Sequence, residues 1–150
     1  LRKDFLVDPT QLLESRAVGA DSALLIAACL SGDELPAMLA AARDLGMEPL
    51  VETHGGDDLE RALAVGARIV GVNARDLESL DVDVDAALDR LRLVPPDRLA
   101  VLESGVATRA HVVAAVEAGA SAILVGEALM RAADPAAALR ALRGDEEPAR

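Results

Sequence analysis

Short apolar runs recur along the chain, separated by stretches whose apolar residues return every three or four positions. The runs are Ala23-Leu24-Leu25-Ile26, Leu50-Val51, Ile69-Val70-Gly71-Val72, Leu99-Ala100-Val101-Leu102 and Ala122-Ile123-Leu124-Val125. They are nearly continuous and rich in branched side chains, the pattern of strands covered on both faces, as in a parallel sheet. The stretches 11–16, 34–43, 59–64, 85–93, 110–117 and 135–142 carry helical spacing. Asp33, Asp57 and Thr108 stand at positions suited to N-caps.

A repeated joint links these elements. Ala17-Val18-Gly19-Ala20-Asp21, Ala64-Val65-Gly66-Ala67-Arg68 and Glu117-Ala118-Gly119-Ala120-Ser121 each follow an amphipathic stretch and precede an apolar run. Leu45-Gly46-Met47-Glu48 is a fourth version. Glycine ends a helix in the left-handed conformation at no steric cost, and a short loop then feeds the next strand. Strand alternating with helix predicts right-handed βαβ units on a parallel sheet. With Leu1-Arg2-Lys3-Asp4-Phe5 counted as a first strand there are about six units, where a closed barrel has eight. The expectation is an α/β chain forming an incomplete (β/α)8 TIM barrel over 1–144, with a polar tail at 145–150. An open, doubly wound sheet is the alternative. It usually carries a glycine-rich phosphate fingerprint after its first strand, and no G-x-G-x-x-G or P-loop occurs here.

Composition narrows the partners. The net charge of −11 argues against nucleic acid and against an anionic membrane surface. No apolar run approaches the ~20 residues of a membrane-spanning helix. Cys29 is the only cysteine, so an internal disulfide is excluded, and a reducing cytoplasm is expected. It reads as a small buried residue. The chain opens at Leu1 directly on a strand pattern, which reads as a truncation. Two missing strands would leave sheet edges that promote self-association.

Polar residues gather where strands should end: Lys3, Glu52, Asn73, Glu103-Ser104 and Gly126-Glu127. Barrel enzymes place their chemistry there. Side chains alternate along a strand, so Lys3 shares a face with Phe5, Glu52 with Leu50, Asn73 with Gly71 and Ile69, and Glu103 with Val101. That face would point inward, leaving Val51, Val70 and Val72 for the helices. A lysine, two glutamates and an asparagine in a water-poor mouth suit proton transfer. Gly105 and Gly126 would let a phosphate approach backbone N–H groups at a short helix after the last strand. His54 sits at the mouth, and His111 falls in a helix; the two form no metal-ligand motif. Asp81-Val82-Asp83-Val84-Asp85 lacks the glycine and distal glutamate of a calcium loop and reads as a loop with a helix cap.

Five stretches resemble the indole-3-glycerol-phosphate synthase family: Leu1-Arg2-Lys3-Asp4-Phe5, Leu50-Val51-Glu52-Thr53-His54, Gly71-Val72-Asn73-Ala74-Arg75-Asp76-Leu77, Glu103-Ser104-Gly105 and Leu124-Val125-Gly126-Glu127-Ala128-Leu129-Met130. The resemblance runs from Leu1 to about Gly144 and corresponds to strands three to eight of the family fold. It implies ring closure of an anthranilate-bearing ribulose phosphate with loss of CO2 and water, in tryptophan biosynthesis, with no cofactor or metal. By resemblance Lys3 is the general acid, Glu52 the proton-transfer carboxylate of the dehydration, and Asn73 its positioning partner. Phe5, Leu24, Arg75, Leu77, Glu103, Ser104 and Leu124 match substrate contacts; Gly105, Gly126 and Glu127 match the phosphate segments. Family members often carry serine in place of Glu127, whose charge would repel phosphate. The family's Ser-Pro-Ser-Lys-Gly segment and first-strand glutamate have no counterpart here. Phosphoribosylanthranilate isomerase, the tryptophan synthase α subunit and a non-catalytic barrel remnant are the alternatives.

Overall fold

The computed structural model describes residues 1–145, so apart from Asp145 the expected tail lies outside the described residues. Five parallel strands form one sheet in strictly sequential order: β1 (Leu24–Ile26), β2 (Leu50–Thr53), β3 (Ile69–Asn73), β4 (Leu99–Glu103) and β5 (Ala122–Leu124). A doubly wound sheet reverses its order at a switch point. This one does not, so the chain is an arc of a βα barrel whose sheet stays open.

Helices precede, separate and follow the strands: α1 (Pro9–Ala17), α2 (Glu34–Asp44), α3 (Asp58–Ala64), α4 (Val84–Leu91), α5 (Arg109–Glu117), the short α6 (Glu127–Arg131) and α7 (Pro135–Arg143). The four repeated glycines behave as their position predicts. Gly19, Gly46, Gly66 and Gly119 have φ of 90°, 73°, 76° and 100°, conformations that a Cβ would strain.

The expected first strand is reduced to one parallel bridge between Arg2 and Ala23. Arg2 N–H donates to Ser22 O, and Leu24 N–H donates to Arg2 O, both at 3.0 Å. Beyond the bridge, Asp4 accepts from the Phe5 N–H at 2.8 Å and turns the chain away. With a neighbour on one side only, few ladder bonds oppose that local turn. Among the described residues the paired strands therefore number five, where the spacing predicts about six.

The inward and outward faces fall as the alternation predicts. Val51, Val70, Val72 and Leu102 are fully buried against the helices, in clusters that include Leu35, Met38, Leu88 and Leu91. Leu24, Ile26, Leu50 and Val101 form a separate cluster on the other face, with Ile69, Leu77 and Leu124 packed against it. Each such buried aliphatic side chain contributes about 1.5–3 kcal/mol. The helix α7 packs on α5 and α6, and Leu142 joins the outer cluster beside Ile123.

Three local expectations need correction. Asp33 and Asp57 make no side-chain cap, because their backbones are already helical or nearly so (φ −82°, ψ −3° and φ −95°, ψ 7°). Asp83 and Thr108, with extended backbones, do cap α4 and α5. Cys29 is exposed, because a 3-10 turn (Ala27–Cys29) carries it outward past buried Ala27. Among the described residues no helix is long and apolar enough to cross a membrane. The cap difference is measurable by urea unfolding. Thr108→Ala should lower stability by about 1 kcal/mol, while Asp33→Ala should stay within about 0.5 kcal/mol of the parent.

Candidate active site

The strand register sets the site. Glu52 pairs with Gly71 across β2 and β3, and Asn73 pairs with Glu103 across β3 and β4. These side chains therefore share the inward face at the C-terminal strand ends, above the apolar floor of Leu24, Leu50 and Val101. Glu52 and Glu103 are each 1% exposed, so their charges need partners. Lys3, held at the sheet edge by the Arg2 bridge, supplies one. Its Nζ lies 2.8 Å from Glu52 Oε2 and 3.0 Å from Glu103 Oε2. The other oxygen of Glu52 accepts from Asn73 Nδ2 at 3.1 Å and lies 3.2 Å from His54 Nε2. Asn73 Oδ1 in turn accepts from the Arg75 N–H at 3.0 Å.

Glu103 has room only because β3 carries a glycine beside it. A Cβ on Gly71 would collide with Glu103 Oε1. The signal was in the sequence, since glycine inside a strand often marks a close approach. Spacing alone shows Gly71 only as a member of the inward face.

One lysine cannot neutralise two buried carboxylates, and the pair splits. Burial penalises the Glu52 charge, yet the close His54 imidazole, hydrogen bonds from Lys3 and Asn73, and the Lys3 charge outweigh that penalty and hold its carboxyl at about 2. Burial also penalises Glu103, and repulsion from Glu52 adds to the penalty. Lys3 offsets only part of this, and the Glu103 carboxyl is pushed up to about 7. Burial alone would depress the Lys3 ammonium. Its hydrogen bond to Glu52 and the charge of Glu103 reverse the effect, so its pKa is raised and the ammonium persists. Near neutral pH the cluster thus holds a fixed ammonium, a fixed carboxylate and a carboxyl able to gain or lose a proton.

Lys3, Arg75, Ser104, Gly105, Leu124, Gly126 and Glu127 line one cavity of about 360 Å³, together with Val106, Val125 and Ala128. Asn73 and Arg75 also line a second cavity of about 240 Å³, with His54 and Arg90. Ser104 and Gly105 both adopt positive φ, 65° and 74°. A Cβ on Gly105 would come within 2.5 Å of Val84 Cγ2 and 2.7 Å of Val82 Cγ1, so packing as well as conformation requires the glycine. At Gly126 a Cβ would meet nothing within 4 Å, so nothing inside the chain demands glycine there. Leu24 and Leu77 belong to the apolar floor. Phe5 does not reach either cavity: it is 60% exposed, because the chain turns at Asp4 before a second inward position is formed.

Two contacts are not legible in the sequence. His54 was placed at the mouth, but its contact with Glu52 required the fold. Arg131 carried no signal beyond its charge, yet its Nη2 lies 2.9 Å from Glu127 Oε1. Among the described residues no group of three or more His, Cys, Asp or Glu side chains is arranged to hold a metal ion.

The split carboxylates give a sign-specific pH test. The Glu103 folded value lies above the ordinary 4.5, so the native state becomes progressively disfavoured as pH rises from about 4.5 to about 7. Glutamine mimics the neutral carboxyl. Glu103→Gln should therefore match the parent at pH 5 and be the more stable of the two at pH 8, read by urea midpoints. An unchanged difference between the two pH values would remove the raised value.

The chain matches the model of the family described as "Indole-3-glycerol phosphate synthase" over residues 1–142. Relatives include the indole-3-glycerol phosphate synthases of Variovorax paradoxus (strain S110), 53% identical over 142 residues, and of Roseiflexus castenholzii (strain DSM 13941 / HLO8), 51% identical over 146. These alignments cover 95% and 96% of this chain but 53% and 54% of the relatives, so the chain spans about half their length. A "Multifunctional tryptophan biosynthesis protein" of Schizosaccharomyces pombe is 45% identical, over 95% of this chain and 19% of its own. The solved structure of a 3-hexulose-6-phosphate synthase superposes with TM-score 0.77 at 24% identity, covering 92% of this chain and 69% of that one, a likeness of fold alone. With the family match extending over nearly every described residue, this chain belongs to the indole-3-glycerol phosphate synthase family.

Proposed function

We propose that the protein containing this chain is an indole-3-glycerol-phosphate synthase. It converts 1-(2-carboxyphenylamino)-1-deoxyribulose 5-phosphate to indole-3-glycerol phosphate, CO2 and water. The observation that carries this reading is the Lys3 ammonium held between buried Glu52 and Glu103 beside the 360 Å³ cavity.

In the ring closure, the aromatic carbon bearing the carboxylate attacks the sugar carbonyl carbon. As that C–C bond forms, the carbonyl oxygen gains negative charge and takes a proton. Lys3 is the donor: its raised pKa keeps the proton in place until an oxygen basic enough to take it develops. Its positive charge also stabilises the developing oxyanion. The carboxylate then leaves as CO2, and its electron pair restores the aromatic ring. In the dehydration, the new hydroxyl leaves as water and the former sugar carbon 1 loses a proton, closing the second aromatic ring. Glu52 serves proton transfer in this stage, and Asn73 fixes its orientation through the 3.1 Å hydrogen bond.

The remaining contacts follow from position. Arg75, Glu103 and Ser104 contact substrate, and Leu24, Leu77 and Leu124 give an apolar floor suited to the aromatic ring. The backbone at Gly105, Gly126 and Glu127 takes the phosphate. Phe5 reaches the substrate only if its segment folds back over the cavity. No cofactor or metal enters these steps. We place residues 1–144 as a partial barrel that needs the family's first two βα units for activity.

Turnover by the full-length protein tests this reading. Lys3→Ala and Glu52→Gln should each lower kcat at least about 100-fold, the range that general acid–base groups supply. Indole-glycerol-phosphate formation is followed by its fluorescence. Residues 1–150 purified alone should give none, and robust turnover by that piece would refute the need for the missing strands.

A further inference from the structure

The mouth of the cavity holds a side-chain ion-pair chain of Arg75, Glu127 and Arg131, whose carboxylate has no part in the reaction steps above. Arg75 is positioned on three sides: its N–H by Asn73, its backbone by the bridge to Val82, and its Nη1 by Leu80 O at 3.0 Å. Its remaining donor face meets Glu127, with Nη2 2.7 Å from Oε2. The other Glu127 oxygen is shared with Arg131, 2.9 Å away. Arg75 and Glu127 line the 360 Å³ cavity, whereas Arg131 lines only the outer recess next to it. A carboxylate therefore occupies the arginine that lines the anion space, while its other oxygen already pairs with a second arginine behind it.

We propose that Glu127 is an internal competitor for the anion site, holding both Arg75 and Arg131 while the cavity is empty and keeping only Arg131 when an anionic group of the substrate takes Arg75. The proposal rests on the cavity being a phosphate site and adds an affinity-setting residue to it. The exchange is physically balanced. An incoming phosphate and the Glu127 carboxylate carry like charge and repel at close range, so they cannot share Arg75 without loss. Arg131, four residues along α6, keeps the displaced carboxylate paired. Arg75 itself need not move, because Leu80 O and the Val82 bridge hold it independently of Glu127. Arg131 acts only through Glu127 and is a positioning residue.

Inorganic phosphate is the probe, titrated into the full-length protein by calorimetry at fixed ionic strength, so no turnover is needed. Glu127→Gln keeps the side-chain shape and removes the charge. It should bind phosphate about fivefold more tightly, the worth of one partly exposed ion pair no longer broken. Arg131→Ala should weaken phosphate about threefold in the parent and leave it unchanged within about 1.5-fold in the Glu127→Gln background, a coupling that only a shared partner produces. Glu127→Ala, with its thermal midpoint recorded, guards against a folding defect in the glutamine variant and should tighten phosphate likewise. Unchanged or weaker phosphate binding in both Glu127 variants would overturn the proposal. So would an equal loss from Arg131→Ala in both backgrounds, which would make Arg131 a direct anion ligand. A protein that makes a different product leaves this titration intact, so the two readings fail separately.

Discussion

A single ammonium set between two buried carboxylates organises this chain. Lys3 comes from a segment joined to the sheet by one bridge, while Glu52 and Glu103 end central strands. Neither carboxylate is stable as a bare charge in that position. The contact therefore ties the edge of the sheet to its centre, and it sets the protonation of all three groups at once. Because one positive charge faces two potential negative ones, the cluster relieves the imbalance by keeping Glu103 close to its neutral form.

The architecture beneath makes that contact possible. Parallel strands in sequential order bring residues from positions 3, 52, 73 and 103 to one end of the sheet, although the chain between them is mostly helix. The apolar floor on the inward face excludes water from below, which strengthens each polar contact above it. Gly71 contributes by what it lacks: any side chain there would displace Glu103 and with it one of the two partners of Lys3. The mouth repeats the same logic with opposite sign, as Glu127 stands between two arginines.

The sheet remains open, and the chain spans about half the length of its curated relatives. Inward residues at β5 are correspondingly less protected than those of β2 to β4. Leu124 is only half-buried, whereas Val101 and Leu50 are buried. The exposure is confined to that edge: at the other edge of the sheet Leu24 and Ile26 of β1 are buried in the inward cluster.

The sequence by itself determined the parallel βα order, the helix-ending glycines and the inward placement of Lys3, Glu52, Asn73 and Glu103, because strand alternation and glycine conformation are local properties readable from spacing. It also carried the family motifs. It misjudged Asp33, Asp57, Cys29 and the path of Phe5, since caps, exposure and edge pairing depend on backbone angles and neighbours that spacing does not encode. Only the tertiary structure decided that Lys3 serves both carboxylates, that His54 touches Glu52, that Gly71 makes space for Glu103 and that Glu127 engages Arg75 and Arg131. Those are distances between residues far apart in the chain, and they exist only once the strands are laid side by side in register.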